Sequence, residues 1–274
     1  MGLQPYAYTI ANGTDSIVVM KDDGTGQTVV ANQAGYFYSV QLSLDGKKGV
    51  VSAEDENGYL QIFVANMANL QNGNPLQLTT DATDHYVPQL SPDDNTVVFV
   101  KYDSAGIGRA YTVPAGGGTQ TMISTPDTID VWTPSYTPDG KKIVYEDDNL
   151  DCINMMNLDG TGMTTLTNAG GTEYFDEFPS VSPDGTKLVF SRYGKATPTT
   201  SEDVYIANID GSNVTQLTNS GTAGEAWDPM FVNNKIVFVY YSFATSDNDI
   251  YNMNFDGSAA KDLTNNSQDE YFQY

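Results

Sequence analysis

Recurring carboxylates and aromatic rings are the side chains in this sequence that could do chemistry. Six segments align on a residue that is proline in four of them, and two positions earlier stands an aromatic residue in five segments and a glutamate in the sixth. An acidic residue lies just upstream of that position in five of the segments. These columns predict a ligand site formed by Asp84, Tyr86, Asp130, Trp132, Asp176, Glu177, Glu225, Trp227, Asp269 and Tyr271.

Such a set of side chains has more than one chemical use. Carboxylates that lie close together repel unless a cation, a positive ligand group or raised pKa values relieve them, and aromatic faces stack on sugar rings or peptide side chains. Two carboxylates with different pKa values are also the acid and the base, or the nucleophile, of glycoside hydrolysis. Calcium is the metal that this oxygen-rich composition suits, although the spacing of an EF-hand loop is missing.

Other catalytic residue types are scarce. The sequence has one histidine, His85, one cysteine, Cys152, and no Gly-x-Ser-x-Gly motif. A Ser-His-Asp or Cys-His hydrolase would depend on that single imidazole, and no His-Cys cluster with zinc-ligand spacing is present. We interpret His85 as a residue of the surface or of a contact between repeats, and Cys152 as a small buried apolar side chain.

The elements that position these residues follow from an internal repeat. A tight turn that leads into an apolar strand recurs five times and is clearest at 182–190, Ser-Pro-Asp-Gly-Thr-Lys-Leu-Val-Phe. The turn residues are separated by 48, 46, 45 and 49 residues, and they are Asp45, Asp93, Asp139, Asp184 and Asn233. Repeats of this length fit the four-stranded blades of a β-propeller.

A second hairpin follows each of these turns and, in its clear copies, is centred on Asp-Gly, which tolerates the positive φ of a two-residue turn. It occurs six times, against five copies of the first turn, so one inner strand is missing. Residues 268–274 resemble the approach to a repeat and are predicted to supply that strand beside residues 6–11. The prediction is therefore an all-β fold in one domain spanning 1–274, a six-bladed β-propeller of four-stranded blades whose C-terminal strand closes on the N-terminal blade.

The combined repeat resembles that of the TolB-type propellers. The resemblance rests on Ser-Pro-Asp-Gly followed by Lys and an apolar strand, and on an Asn-x-Asp-Gly hairpin that ends in Leu-Thr-Asn. It covers essentially the whole chain and implies the fold more than a function, because such repeats occur in binding proteins, peptidase gating domains, lyases and surface lipoproteins. TolB itself has an additional amino-terminal α/β domain, to which nothing in this sequence corresponds.

Blade geometry predicts that the tight turns share one face and that the variable loops at 102–109, 193–203 and 242–249 share the other. The acidic and aromatic columns then surround the mouth of the central channel on the loop side. Two interpretations remain open: the columns bind a ligand, or the rings wedge between blades while the Asp side chains bind backbone amides of their own loops.

The composition restricts the partners. Thirty-five acidic and twelve basic residues give a formal charge of -23, which repels nucleic acid, and no apolar run is long enough to cross a bilayer. We expect a monomer in a bacterial periplasmic or cell-surface location, although no secretory signal is visible in the sequence.

The preferred function is a non-catalytic binding or scaffolding module that receives a protein segment, a glycan or a small polar molecule at the loop face and channel mouth. One rival is a carbohydrate-active enzyme that uses paired carboxylates at the channel mouth. The other is a purely structural repeat domain of a surface protein.

Overall fold

The computed structural model describes residues 5–11, 16–32, 37–67, 75–124, 129–167, 173–195, 201–266 and 268–272. Within these ranges the chain forms six four-stranded antiparallel sheets in a ring, without α-helices. The predicted six-bladed β-propeller is confirmed. None of the described residues forms a helix long and apolar enough to cross a membrane.

Each blade runs from an inner strand at the channel to a short outer strand. Blades 1 and 2 contain β24 (Asp269–Tyr271), β1 (Pro5–Ala11), β2 (Ser16–Lys21) and β3 (Thr28–Asn32), and β4 (Phe37–Leu42), β5 (Lys48–Glu54), β6 (Leu60–Asn66) and β7 (Leu76–Gln77). Blades 3 and 4 contain β8 (His85–Leu90), β9 (Thr96–Tyr102), β10 (Gly108–Pro114) and β11 (Thr121–Met122), and β12 (Val131–Tyr136), β13 (Lys142–Asp147), β14 (Cys152–Asn157) and β15 (Thr164–Thr165). Blades 5 and 6 contain β16 (Tyr174–Val181), β17 (Lys187–Gly194), β18 (Asp203–Asn208) and β19 (Thr215–Gln216), and β20 (Gly224–Val232), β21 (Lys235–Ser242), β22 (Asp247–Met253) and β23 (Lys261–Asp262).

The apolar core lies between the blades. The central strand β9 has no exposed side chain from Val97 to Val100, because a blade packs against a neighbour on each of its faces. Val98 and Val100, for example, pack with Val131 and Tyr145 of the next blade. Continuous apolar runs therefore replace the strict alternation of a one-sided sheet, and each fully buried side chain contributes about 1.5–3 kcal/mol.

The tight turns repeat one set of hydrogen bonds. In blade 5, Ser182 Oγ donates to Asp184 Oδ1 at 2.7 Å and accepts from Lys187 N at 2.9 Å. The equivalent pairs in blades 2 to 4 are Ser43 with Asp45, Ser91 with Asp93 and Thr137 with Asp139. The predicted Asp-Gly hairpins are also confirmed, since φ is 78° at Gly160, 82° at Gly211 and 80° at Gly257.

Blade 1 is assembled from both ends of the chain. Strand β24 pairs antiparallel with β1, so that Thr9 lies opposite Tyr271, and Thr9 Oγ1 donates to the Tyr271 carbonyl at 3.2 Å. Phe272 is fully buried, and its ring centroid lies 5.8 Å from that of Tyr6. The predicted closure is confirmed, while Gln273 and Tyr274 of the predicted segment 268–274 lie outside the described residues.

Candidate functional site

The two ends of the channel differ in construction. We call the end with the tight turns the turn face, and the end with the second-to-third strand loops and the blade-to-blade connections the loop face. The inner strands start at the loop face and end at the turn face, so the predicted columns all lie near the loop face.

A β-bulge interrupts the inner strand of four blades at the loop face. In β12 the pairing with β13 jumps from Trp132 to Ser135, so two residues oppose one on the partner strand, and β8, β16 and β20 shift at the same place. The residue before the proline has positive φ in each bulge: Val87 at 44°, Thr133 at 42°, Phe178 at 53° and Asp228 at 49°. Positive φ is costly for residues with a Cβ, roughly 1–2 kcal/mol each, so the same strain is maintained four times around one channel.

The bulges redirect the side chains that precede them, and the aromatic column forms two arcs of contacting rings. In the first arc, the Tyr86 ring lies 5.1 Å from Tyr38 and 5.6 Å from Trp132, centroid to centroid. Tyr102, the last residue of β9, contacts both Tyr86 and Trp132 at 5.6 and 5.9 Å between ring centroids. The first arc therefore joins the inner strands of blades 2, 3 and 4 at the channel mouth.

The second arc joins blades 5, 6 and 1. Trp227 lies 5.9 Å from Phe178 and 6.1 Å from Tyr271 between ring centroids. Glu177 occupies the aromatic position of blade 5, between Trp132 of the first arc and Trp227 of the second. The structure thus brings Tyr86, Trp132, Trp227 and Tyr271 to the mouth as two ring clusters, with a carboxylate in the interval.

The acidic column is held in a different way. Asp84 Oδ1 accepts from Leu60 N at 2.8 Å, Asp130 Oδ1 from Gly108 N at 2.7 Å, and Asp269 Oδ1 from Asn248 N at 3.1 Å. Each amide opens or nearly opens the third strand of the preceding blade. These carboxylates therefore link neighbouring blades through backbone amides, and a ligand-binding role for them stays a prediction.

The remaining two acidic predictions differ from these three. Asp176 is fully buried and forms a two-bond ion pair with Arg192, with Nε to Oδ1 at 2.5 Å and Nη2 to Oδ2 at 2.7 Å. Glu225 is half-buried, and its charge acts on Glu202. The ion pair already supplies Asp176 with its counter-charge.

Three glutamates gather in the interval between the arcs, and we call Glu146, Glu177 and Glu202 the acidic notch. Glu146 is 7% exposed, and its Oε2 accepts from Thr133 Oγ1 at 3.3 Å and from Phe178 N at 3.4 Å. Glu177 Oε1 accepts from the Tyr193 hydroxyl at 3.0 Å. The Oε1 atom of Glu202 has neither solvent contact nor a hydrogen-bond partner.

Burial and like charges raise the pKa values of the notch. Burial, with the nearby charges of Asp148 and Asp151, raises the pKa of Glu177 to about 7, although the hydrogen bond from Tyr193 opposes the rise. Burial and then the charge of Glu177 raise the pKa of Glu146 and of Glu202 well above the ordinary range. Burial and like charges therefore favour the protonated form of these carboxyl groups.

The cations closest to the notch in sequence are already paired. Arg192 is held by Asp176, and Lys195 Nζ forms an ion pair with Asp151. Among the described residues, no ion pair involves a notch glutamate, and no group of three or more His, Cys, Asp or Glu side chains is arranged to hold a metal ion. Calcium binding stays a prediction.

His85 and Cys152 have packing roles. His85 is fully buried at the start of β8, with Nδ1 3.2 Å from the Leu60 carbonyl and Nε2 3.1 Å from Asp81 Oδ1. The second contact has ion-pair distance without hydrogen-bond alignment, and burial lowers the pKa of the imidazole. Cys152 is a free, buried thiol whose pKa burial raises to about 12.

A cavity of about 200 Å³ occupies the channel below the bulges and extends to the turn face. Its described lining includes Thr133, Phe178 and Asp228 of the bulges and Pro92 and Pro138 of the tight turns. None of the ten predicted site residues belongs to that lining. The cavity therefore approaches the notch from below, because Thr133 and Phe178 both bond to Glu146.

Comparison with known proteins supports the architecture. A family model described as the TolB beta propeller domain matches residues 4–198. An uncharacterized protein of Agrobacterium fabrum is 28% identical over 155 residues, which are 56% of this chain and 50% of that protein. The chain thus spans about half the length of this curated relative.

Solved structures with the same fold include two described as TolB. A putative TolB from Agrobacterium tumefaciens aligns over 100% of this chain and 99% of its own with 21% identity and a TM-score of 0.71. TolB from Acinetobacter baumannii aligns over 98% of this chain and 65% of its own with 18% identity and a TM-score of 0.81. A chain of a nidogen/laminin complex also aligns, over 97% and 96%, with 13% identity and a TM-score of 0.69.

Proposed function

The chain belongs to the TolB β-propeller domain family, and on that premise we propose that it is a non-catalytic binding module whose loop face receives a protein segment at the channel mouth. The family fold supports a binding or scaffolding role in general, and propellers of this type generally mediate protein interactions. The observation that carries the proposal is the pair of aromatic arcs, in which rings from different blades contact each other at one mouth.

The bulges support this assignment because they hold the rings in place at a cost. A purely structural ring could close with regular inner strands, yet four blades retain a left-handed residue directly after the aromatic or acidic position. Strained backbone that recurs at one site is typical of positions whose side chains are aimed at a ligand.

The angles between the rings favour a peptide over a glycan. Planes of neighbouring rings meet at 72° for Tyr38 and Tyr86, 52° for Tyr86 and Trp132, and 47° for Trp227 and Tyr271. A sugar ring stacks best on a flat platform, whereas tilted rings offer both faces and edges. Such a surface suits side chains of different shapes from an extended segment.

A paired binding screen tests the proposal. Wild-type protein is applied to random-peptide and glycan arrays with and without calcium, and the binders are measured with Trp132→Ala and Trp227→Ala. Each variant is expected to weaken peptide binding about tenfold or more while the melting temperature hardly changes, because both rings are half-buried rather than core. Met163→Ala, which removes an exposed apolar side chain of the turn face, is the matched control.

Two results of this screen would contradict the proposal. Retention of glycans alone, with the same dependence on the two tryptophans, would assign the arcs to sugar. Absence of any binder, or a loss of stability without a loss of affinity, would return the domain to a structural role. Binding that depends on calcium would revive the predicted calcium site.

A carbohydrate-active enzyme is the second candidate, and the notch is the observation in its favour. Glu177 has a pKa of about 7, which suits a general acid, and Glu146 lies within reach of the adjacent Phe178 amide. If this candidate is right, the protein releases reducing sugar from polysaccharides, and Glu177→Gln abolishes the release. If the wild type and Glu177→Gln both released reducing sugar no faster than a protein-free control, this candidate would be wrong.

Location and assembly form part of the same proposal. A segment-binding propeller of this family fits a bacterial periplasmic or cell-surface location, and we propose that it works there as a monomer. Sedimentation at several concentrations measures the assembly, and fractionation of a cell that expresses the natural gene measures the location. A cytoplasmic pool or a stable dimer would contradict these two statements.

A further inference from the structure

We propose that the acidic notch is a receptor for one organic cation, the ammonium of a lysine or the guanidinium of an arginine in the bound protein segment. This inference rests on the proposed function and names the residue type that the segment must contain. Glu146, Glu177 and Glu202 would share the positive group, while the two aromatic arcs hold the apolar side chains on either side.

The first argument is the position of the notch. Five of the six blades have an aromatic residue at the channel-mouth position two residues before the aligned proline, and blade 5 alone has a carboxylate there, Glu177. The carboxyl of Glu146 lies directly beside it, because Glu146 Oε2 accepts from the amide of Phe178, the next residue in the chain. The interval between the arcs is therefore chemically different from the rest of the mouth.

The second argument is an acceptor that nothing in the described chain uses. Glu202 Oε1 has no solvent contact and no hydrogen-bond partner, and burial without a partner costs about 1–3 kcal/mol for a neutral group and more for a charge. Ser191 links Glu202 to the notch, because it lies opposite Glu177 in the β16–β17 pairing and its hydroxyl acts to lower the pKa of the Glu202 carboxyl. An ammonium donates three hydrogen bonds and a guanidinium five, so either group supplies the missing donor.

The third argument is electrostatic. The groups around Glu177 are the carboxylates of Glu146, Asp148, Asp151 and Asp176 and the hydroxyl of Tyr193. Glu202 faces Glu177, Glu225 and Asp228. Arg192 and Lys195 are already bound to Asp176 and Asp151, so an ammonium or guanidinium from a ligand would relieve the repulsion among the notch carboxyls.

The shape of the site selects an organic cation over a metal ion. No described group of three His, Cys, Asp or Glu side chains has metal-binding geometry, whereas Phe178, whose amide bonds to Glu146, also lines the channel cavity. The channel cavity of about 200 Å³ reaches the same bulge residues and leaves room for an alkyl stem. A flexible stem with a charged end fits these walls, and aromatic faces add attraction for the charge.

The direct test uses n-butylammonium and n-butylguanidinium as probes. The pKa of Glu177 is measured by carbon-13 NMR of its carboxyl group in each probe, in sodium chloride of equal ionic strength, and in neutral n-butanol. The probes are expected to lower the pKa by about 1 or more relative to sodium chloride, since a nearby opposite charge favours the ionised carboxylate. Glu202→Gln should halve or abolish that shift, whereas Glu173→Gln, which changes an exposed residue at the approach to β16, should leave it intact.

A pKa of Glu177 that is the same in the probes and in sodium chloride would overturn the inference. A shift that persists fully in Glu202→Gln would do so as well, because it would reflect bulk electrostatics and not a shared site. Folding of each variant is checked in the same spectra by the methyl signals of the core.

A peptide experiment separates this inference from the proposed function. Short random peptides are compared whose central residue is fixed as lysine, arginine, Nε-acetyl-lysine or alanine. Lysine and arginine pools are expected to bind about tenfold more tightly than the other two pools. Equal binding of all four pools, still sensitive to Trp132→Ala, would leave the binding module standing and refute the cation receptor.

The opposite result is equally informative. If the probes lower the pKa of Glu177 while no peptide pool is retained, the notch is a site for a free amine, and the protein-segment function is wrong. Titration with spermidine would then measure that free-amine site directly.

Discussion

The two faces of the propeller use the same carboxyl groups in opposite electrostatic states. On the turn face, hydrogen bonds hold two pKa values near 2: that of Asp45 through the Lys47 ammonium, the Lys47 amide and the Ser43 hydroxyl, and that of Asp184 through the Ser182 hydroxyl and the Thr186 amide. On the loop face, burial and neighbouring carboxyls raise the pKa of Glu177 to about 7 and that of Glu146 well above its ordinary range. The turn face supplies each carboxylate with a donor from its own turn, whereas the notch receives too few donors.

This contrast distinguishes carboxyl groups that stabilise the fold from carboxyl groups that are available to a ligand. A charge that its own turn satisfies, such as Asp184 beside Ser182 and Thr186, stabilises the repeat and needs no partner. A buried carboxyl oxygen that the fold leaves without a hydrogen-bond partner, such as Glu202 Oε1, raises the free energy of the folded protein. A ligand therefore gains the most binding free energy where it supplies hydrogen bonds to unsatisfied groups at the channel mouth.

The largest expected effect sharpens the structural side of the contrast. In Gly211→Ala, at a hairpin of the turn face, the new Cβ would lie 1.8 Å from the Leu166 carbonyl oxygen of the neighbouring blade, and φ is already 82°. We expect a loss of about 3 kcal/mol or more in the free energy of unfolding, measured by urea denaturation. Gly58→Ala, in a loop-face turn with φ of 78° and open space around it, should lose only about 1 kcal/mol. Equal losses of unfolding free energy in the two variants would show that the close contact with Leu166 does not contribute to the destabilisation.

A hydroxyl of the turn face gives the intermediate effect. Ser182→Ala leaves the Lys187 amide without its acceptor at 2.9 Å and removes the donor to Asp184, in a side chain that is 1% exposed. The expected loss is about 1–2 kcal/mol by thermal or chemical denaturation. Ser212→Ala, in an exposed turn where Ser212 bonds to Asp210, should change stability by less than about 0.5 kcal/mol. If Ser212→Ala lost more stability than Ser182→Ala, burial of the hydroxyl would not be the cause of the loss.

The smallest effect is a pH dependence that differs in sign between the faces. Because the folded state raises the pKa of Glu177 from 4.5 to about 7, this glutamate favours folding below pH 4.5, and that contribution is lost as the pH rises to about 7. Asp184 behaves oppositely: its contribution is present above pH 3.8 and is lost as the pH falls toward 2.

Two isosteric variants measure this difference. Between pH 5 and 7, Glu177→Gln should be more stable than the wild type by about 1 kcal/mol, with the difference growing as the pH rises. Asp184→Asn should differ from the wild type mainly above pH 4 and converge with it in acid. Parallel stability curves for Glu177→Gln and the wild type between pH 4 and 8 would contradict the raised pKa.

The turn face could be predicted from the sequence because its determinants are local. Ser182, Asp184 and Gly185 lie within four positions, and their hydrogen bonds join residues two to five apart. Each Asp-Gly hairpin requires positive φ at its glycine, as at Gly160 and Gly257. Repetition of such short motifs revealed the number of blades and the strand that closes the ring.

The loop face could be predicted only in part. The aromatic column was visible as residue types at a constant offset from proline, but Val87, Thr133 and Phe178 gave no sign of positive φ, and a residue before proline is normally extended. The Asp column looked similar in sequence and proved to be bonded to amides of the preceding blade at Leu60, Gly108 and Asn248. Those partners are more than twenty residues away, so local patterns cannot reveal them.

The notch was missed for the same reason. Glu146 comes from a second strand and Glu202 from the residue before a third strand, at positions that share no offset with Glu177. The bond between the Phe178 amide and Glu146 joins residues 32 positions apart, which no local pattern reveals. Only the pairing of β16 with β17 and the contact between blades place these carboxyls together.

The closure of blade 1 also has a consequence for how the molecule is made. The Thr9–Tyr271 contact joins residues that are 262 positions apart, so the inner neighbour β24 is translated long after β1. Until β24 is available, β1 presents an open edge that other chains can pair with, and the loop that must close spans those 262 positions. A polypeptide truncated before residue 269 keeps that edge open, so we expect it to aggregate more readily than the protein that contains β24.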